Sequence, residues 1–334
     1  MGTQKTCLAR LVRMSQDKKN FLSHGIMFHH FHDGKKHLKS PGSLSKNEFN
    51  KLINYIGKKN IINPDDFIKK LENKSLKKKE VCLTFDDALR CQYDIAYPIL
   101  KKLKLKAFFF IQTSIYEKNS DMSEVYRYFR NNFYTDVKNF YSDFFYQINK
   151  TKKEKLSLFL KSKKKLIRIK KKMYPFYDED DIKFRLVRDN FLKKNDYSKI
   201  MIKMFSSKKF NYKNHFKNIF IKKSQIKKLS RENNYIGLHS HSHTFNFDNL
   251  NYHDQKKEYF KNYKILNNIV KKKILSASYP GGKYNSYSIK ILKKLGIKCC
   301  FKDNFKFKKN KVSNYFLEMP REDSSNIIKK INQK

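Results

Sequence analysis

The chain reads as an α/β protein built on parallel strands, closed as a barrel or left as an open sheet. Three observations carry that expectation. Short apolar runs alternate with stretches of helical periodicity, the clearest βαβ unit spans 81–111, and two of the apolar runs stop on groups able to bind a metal. The first of these ends is Thr84-Phe85-Asp86-Asp87, and the second is His239-Ser240-His241-Ser242-His243, directly after Ile236-Gly237-Leu238. In parallel βα architectures the strand bodies are buried, and the loops at their C-terminal ends assemble the active site.

Each element has a local cause. Gly25-Ile26-Met27-Phe28-His29 reads as a first strand. Ser45 then caps a helix, with Glu48 three positions on and Phe49, Leu52, Ile53 and Ile56 at helical spacing. Asn63-Pro64-Asp65-Asp66 is a second start signal, placing proline in the first turn and acids where they complement the dipole; the short helix is expected over 66–71. A strand over 81–85 leads through the acidic pair to a helix carrying Tyr93, Ala96, Tyr97, Leu100 and Leu103. It is followed by Ala107-Phe108-Phe109-Phe110-Ile111, a run that suits a strand buried on both faces. Downstream, helices expected over 224–233, 252–270 and 286–295 precede strands over 235–238, 275–279 and 299–301, and the repeated alternation argues for a parallel arrangement.

The alternation breaks between these halves. Residues 118–223 read as a helical insertion, with Tyr126, Phe129, Phe133, Val137, Phe140 and Phe144 at helical spacing and no glycine over 124–173. Aromatics interleaved with lysines could stack on single-stranded nucleic acid, but a stripe at three- and four-residue spacing is the ordinary pattern of core packing. The expected layout is a tail over 1–22, disordered, then a catalytic domain split into 23–117 and 224–330 around the insertion.

At 334 residues the chain can bury one large core plus an insertion. Its net charge of +46 raises nucleic acid, anionic membrane or an acidic substrate as partners. Abundant Lys, Asn, Ile, Phe and Tyr beside 9 Gly, 6 Pro and no Trp point instead to an AT-rich coding bias, with dispersed solvated lysines. No specific nucleic-acid partner is therefore expected, while peripheral membrane contact through the basic surface stays open. The five cysteines, Cys7, Cys82, Cys91, Cys299 and Cys300, are odd in number and lack CxxC spacing, which fits a reducing compartment. With no transmembrane segment and no signal-peptide core, a cytoplasmic location is expected.

The histidine run constrains its own backbone. In an extended strand His239 and His243 would lie ~13 Å apart at about 3.3 Å per residue, too far for one ion with ligand bonds of about 2.1 Å. The chain must curl after the strand, and a helical turn would bring positions i and i+4 to about 6 Å. A pair made of His239 and His241 on one strand face is the alternative.

Thr84-Phe85-Asp86-Asp87 and His239-Ser240-His241-Ser242-His243 together resemble the first two motifs of the polysaccharide deacetylases, the carbohydrate esterases with a NodB homology domain. Ser278-Tyr279-Pro280-Gly281 resembles a Tyr-Pro-x-Gly variant of the third. The resemblance implies a distorted (β/α) barrel of the NodB type and metal-dependent hydrolysis of N-acetyl groups from a sugar or polysaccharide. It assigns Asp86 as general base and Asp87, His239 and His243 as ligands of a divalent metal, zinc first, with cobalt, manganese or nickel possible. Tyr279, Pro280 and Gly281 would contact substrate. The arginine that orients the base in relatives with Arg-Pro-Pro-Tyr is absent here, and Arg321 is the candidate to supply that charge. The C-terminal histidine of many members is also missing. Met27-Phe28-His29-His30 resembles the Met-Tyr-His strand of a permuted branch, which carries the acid to His29, with His30 and His32 as alternatives. Two other readings compete: a basic nucleic-acid-binding protein on a degenerate hydrolase fold, and a hydrolase of another amide.

Overall fold

The structure, a computed structural model, describes residues 24–117, 121–173, 177–244, 246–303 and 316–333. The expected tail over 1–22 and Cys7 lie outside the described residues. Seven parallel strands close a barrel: β1 (Gly25–Phe28), β4 (Cys82–Phe85), β5 (Phe108–Ile111), β6 (Tyr235–Leu238), β7 (Ser276–Ser278), β8 (Cys299–Lys302) and β9 (Met319–Asp323). The two-residue strands β2 (Phe31–His32) and β3 (Leu44–Ser45) pair outside it. Strand β9 pairs back onto β1 with Arg321 opposite Gly25, and this contact shuts the barrel. Because the strands are parallel, all their C-terminal ends open on one side.

Strand alternation sorts the apolar side chains into two groups. Cys82, Phe108, Phe110, Phe301 and Met319 form one, and the Phe110 and Phe301 rings meet at 5.6 Å although β5 and β8 are not neighbours, which places this group inside the barrel. Helix α1 (Lys46–Ile56) is started by the Ser45–Glu48 capping box, worth about 1 kcal/mol. Helix α2 (Pro64–Glu72) brings Phe67 against Phe301 and Phe108 and closes the end of the barrel opposite the strand C-termini. Leu83, Phe85, Phe109 and Cys300 belong to the other group, which packs under the surrounding helices. Gly237 is required by crowding inside: a Cβ there would lie 2.5 Å from the Phe110 ring and 2.7 Å from Ser276 Oγ.

After β4 the chain passes through a π-helical turn, Gln92–Ala96, into α3 (Tyr97–Lys102). Between β5 and β6 come α4 (Ser123–Asn132), α5 (Val137–Ser162), α6 (Lys164–Met173), α7 (Glu179–Leu186), α8 (Lys194–Ser207), α9 (Tyr212–Ile219) and α10 (Lys223–Arg231). The aromatic stripe turns inward. Phe129 packs on Phe205 at 4.7 Å and Phe144 on Phe184 at 4.9 Å, so these rings are core and are not available for base stacking. Helix α11 (Tyr252–Val270) precedes β7, α12 (Ser286–Lys294) precedes β8, and α13 (Ser324–Asn332) follows β9. The four described cysteines are free and buried.

Strand β9 is the barrel strand that patterning did not predict. Met-Pro-Arg-Glu-Asp has no apolar run. The barrel interior accepts it as a strand because the guanidinium finds carboxylates there.

Candidate active site

Five chain segments meet at the open end of the barrel, each delivered by a strand terminus. Asp86 and Asp87 follow β4, His29 follows β1, and His239 follows β6. Ser278 ends β7 and Asp303 follows β8.

Arg321 is fully buried and forks onto Asp86, with Nη1 donating to Oδ1 and Nη2 to Oδ2, both at 2.8 Å. Nη2 also donates to Asp303 Oδ1 at 2.7 Å. Ser278 Oγ donates to Asp86 Oδ2 at 3.2 Å. Burial pushes the Asp86 carboxyl up, but the charge and hydrogen bonds of Arg321, with His239 beside it, outweigh that and leave its pKa below the usual carboxylate range. A buried arginine between two carboxylates is ionised for the same reason, and its pKa is raised.

Asp87, His239 and His243 converge. Asp87 Oδ1 lies 3.2 Å from His239 Nε2 and 3.3 Å from His243 Nε2, and the three donor atoms fall within 4.8 Å of one another. Asp87 Oδ1 is buried and accepts no hydrogen bond. His239 Nδ1 donates to the Ser278 carbonyl at 3.0 Å, which leaves Nε2 as the lone-pair nitrogen facing Asp87. A buried carboxylate oxygen without a donor, aimed at two imidazole nitrogens, fits a divalent cation, and one carboxylate with two imidazoles is a donor set that zinc accepts. Burial disfavours positive charge on His239, yet Asp86 and Asp87 outweigh it and raise its pKa, so the local field favours a cation.

The curl that brings the histidines together is not a helical turn. Ser240 (φ 57°) and His243 (φ 49°) are left-handed, as are Asp87 (φ 73°) and Ala88 (φ 56°) in the facing loop. Such non-glycine backbone costs about 1–3 kcal/mol per residue and persists only where its surroundings enforce it. Here α11 does so from two positions one turn apart. Glu258 Oε2 accepts from the His241 and Ser242 backbone amides at 2.9 and 2.7 Å, and Oε1 accepts from Ser242 Oγ. Asn262 Oδ1 accepts from the His239 amide at 3.0 Å, while its Nδ2 donates to the Ile111 carbonyl and to Thr113 Oγ1.

His241 points away from the cluster, with Nδ1 2.9 Å from Thr113 Oγ1 and Nε2 3.3 Å from Glu117. This separates it from the alternative pairing with His239. His29 faces the acids across the cleft, its Nε2 4.0 Å from Asp86 Oδ2 and 3.8 Å from Asp87 Oδ2. Gln92, itself buried, donates to the carbonyls of both His29 and Asp86, tying the two loops together. His30 turns instead to Glu124 of α4 at 2.7 Å, and His32 to Ser43. Burial, and then Arg127, lower the His30 pKa to about 4.

The Tyr279 side chain is taken out of the cleft: it is fully buried, stacks on Tyr284 at 4.1 Å and donates its hydroxyl to the Leu317 carbonyl. Pro280 is buried too, whereas Gly281 sits exposed with open space where a Cβ would stand. Of the three residues expected to contact substrate, Gly281 is thus the one at the surface. Asp303, Ser278, Gln92, Glu258 and Asn262 escaped sequence reasoning. Ser278 stood in the quoted third motif without a role, the other four are single residues outside any motif, and of those only the placement of Asp303 just past a predicted strand end could have drawn notice.

A family model described as polysaccharide deacetylase matches residues 73–139 and 188–300. The second block begins inside the stretch expected to be an insertion. No curated protein matches. Among solved structures the chain is similar to the Streptococcus pyogenes deacetylase PplD in complex with acetate, at 16% identity and TM-score 0.52 over 91% of this chain and 96% of that one. A de-N-acetylase from Aggregatibacter actinomycetemcomitans is similar at 15% identity and TM-score 0.53, over 92% and 98%. A polysaccharide deacetylase from Bacillus cereus follows at 11% identity and TM-score 0.51, over 92% and 67%. At these identities the likeness is one of fold.

Proposed function

Because the chain belongs to the polysaccharide deacetylase family, hydrolases of carbon–nitrogen bonds, we propose that it removes N-acetyl groups from a sugar or polysaccharide, a surface glycan or its precursor, with the help of a divalent metal. The observation that carries this reading is the side-by-side arrangement of a clamped carboxylate, Asp86, and a donor set, Asp87 with His239 and His243, across from a third imidazole at His29.

When bound by Asp87, His239 and His243, the ion supplies Lewis acidity toward the acetamide oxygen and lowers the pKa of a water. The remaining work belongs to side chains. Asp86, fixed by Arg321 and Ser278, takes the proton from the attacking water as the new C–O bond forms. Arg321 keeps that carboxylate ionised and oriented while Asp303 balances its charge. His29 Nε2, across the cleft from the acids, gives a proton to the nitrogen as the C–N bond breaks, releasing acetate and an amine. The fork fixes the Asp86 carboxylate plane, which is the kind of preorganisation that a reaction at one geometry requires.

The test is acetate release from N-acetylated oligosaccharides, which should be abolished by a chelator, restored by zinc, and lost in Asp86→Asn. Acetate release unchanged in Asp86→Asn would overturn the assignment. Turnover of another amide without release from sugars would shift the substrate class.

A further inference from the structure

The junction of α5 and α6 is the most basic part of the chain. Of residues 150–173, twelve are Lys or Arg and Glu154 alone is acidic. Much of this charge is solvated: Lys161, Lys164, Lys165, Arg168, Lys171 and Lys172 are all exposed. Among them stand aliphatic side chains that the insertion core leaves uncovered, Leu158 at 67% exposure, Ile169 at 44% and Leu166 at 37%.

The two helices divide their faces. Ile167 is buried against Ile182 and Leu186, with Phe159 of α5 packed on the same group. At about 3.6 residues per turn, Leu166 and Ile169 are neighbours on the outward side of α6, with Lys165 and Lys172 beside Ile169. A short helix with a buried inner edge, exposed Leu and Ile on the outer edge and lysines flanking them has the character of an interfacial segment. Clustered cations near such a segment contribute about 1 kcal/mol each at an anionic lipid surface. Among the described residues no helix is long and apolar enough to cross a membrane, so such contact would be peripheral.

We propose that the end of α5 with α6 docks the protein on an anionic lipid bilayer through Leu158, Leu166 and Ile169 set among lysines. The lysines alone would suit nucleic acid equally, but exposed aliphatic side chains gain nothing from a phosphate backbone and do gain from an acyl boundary. The inference stands apart from the deacetylase reading, since it concerns a surface that supplies no residue to the cluster at the barrel mouth.

The experiment is vesicle co-sedimentation of the full chain, comparing phosphatidylcholine alone with phosphatidylcholine containing phosphatidylglycerol. Binding should be at least about tenfold tighter to the anionic vesicles. Leu166→Ser with Ile169→Ser should weaken it about tenfold, and Lys164→Glu with Lys165→Glu should abolish it. Lys227→Glu with Lys228→Glu, the same charge change on exposed residues of α10, should leave it intact. Equal binding to neutral vesicles, equal loss in the α10 variant, or no effect of the two serines would overturn the proposal. Tighter binding to a DNA duplex at the same salt would assign the surface to nucleic acid instead. Unchanged acetate release from soluble substrate is expected in all three variants.

Discussion

Arg321 holds both carboxylate oxygens of Asp86 at 2.8 Å, from a strand 235 residues away in sequence. The pair is wholly buried, and the second carboxylate on the guanidinium, Asp303, completes its charge balance. Arg321→Met should cost about 3–5 kcal/mol of stability, because it strands a buried carboxylate. Where the variant folds, kcat should fall about 100-fold or more from misorientation of Asp86. Arg321→Lys keeps the charge but cannot fork and should recover only part of both. Chemical denaturation and acetate-release kinetics read the two effects, and wild-type behaviour of Arg321→Met would remove Arg321 from the mechanism.

Metal content should separate the two adjacent acids. Asp87→Asn, His239→Ala and His243→Ala should each lose bound zinc, whereas Asp86→Asn should retain it and still be inactive. Elemental analysis of the purified variants checks this, and full metal content in His243→Ala would exclude it from the ligand set.

Glu258 and Asn262 hold the left-handed loop that presents His239 and His243, without being in a position to act as ligands themselves. Outer partners of this kind typically tune affinity by about 10–100-fold. Glu258→Ala should weaken zinc binding by that range in a competition titration, with Asn262→Ala behaving alike. An unaltered zinc affinity in both would show that the loop keeps its shape unaided.

His29→Asn should lower turnover by about 100- to 10,000-fold, the usual range for loss of a general acid, with zinc content preserved. If the metal is lost as well, His29 belongs among the ligands.

His30 is held neutral, its pKa lowered to about 4 first by burial and then by Arg127, and it donates to Glu124. In the unfolded chain it would take up a proton near pH 6.5, so between about 6.5 and 4 the unfolded state binds more protons. Stability should therefore fall as pH drops through that window, by up to about 3 kcal/mol at its lower end. His30→Gln keeps a donor without titrating and should flatten the dependence, measured as thermal midpoint against pH.

The acids at 86 and 87 and the histidine run were legible because strand-end position and local spacing are properties of a few consecutive residues. The parallel alternation was legible for the same reason, since each βα unit carries its own caps and apolar periods. The curl after β6 was legible only as a necessity: spacing demanded it, but the chain builds it from left-handed Ser240 and His243 under clamps from α11, not from a helical turn. The Tyr279 side chain went the other way, since a motif cannot tell which face of a turn will be buried.

What the sequence determined by itself is the set of local elements and the identity of the acids and imidazoles at their ends. Tertiary structure alone decided that Met319–Asp323 closes the barrel as a strand, that Arg321 therefore reaches Asp86 from inside, and that His239 and His243 face Asp87 while His241 turns to Thr113 and Glu117. The physical reason is one of range. Caps and periodicity act over a few residues, whereas a buried guanidinium is tolerable only once carboxylates 18 and 235 residues away have been brought within hydrogen-bond distance.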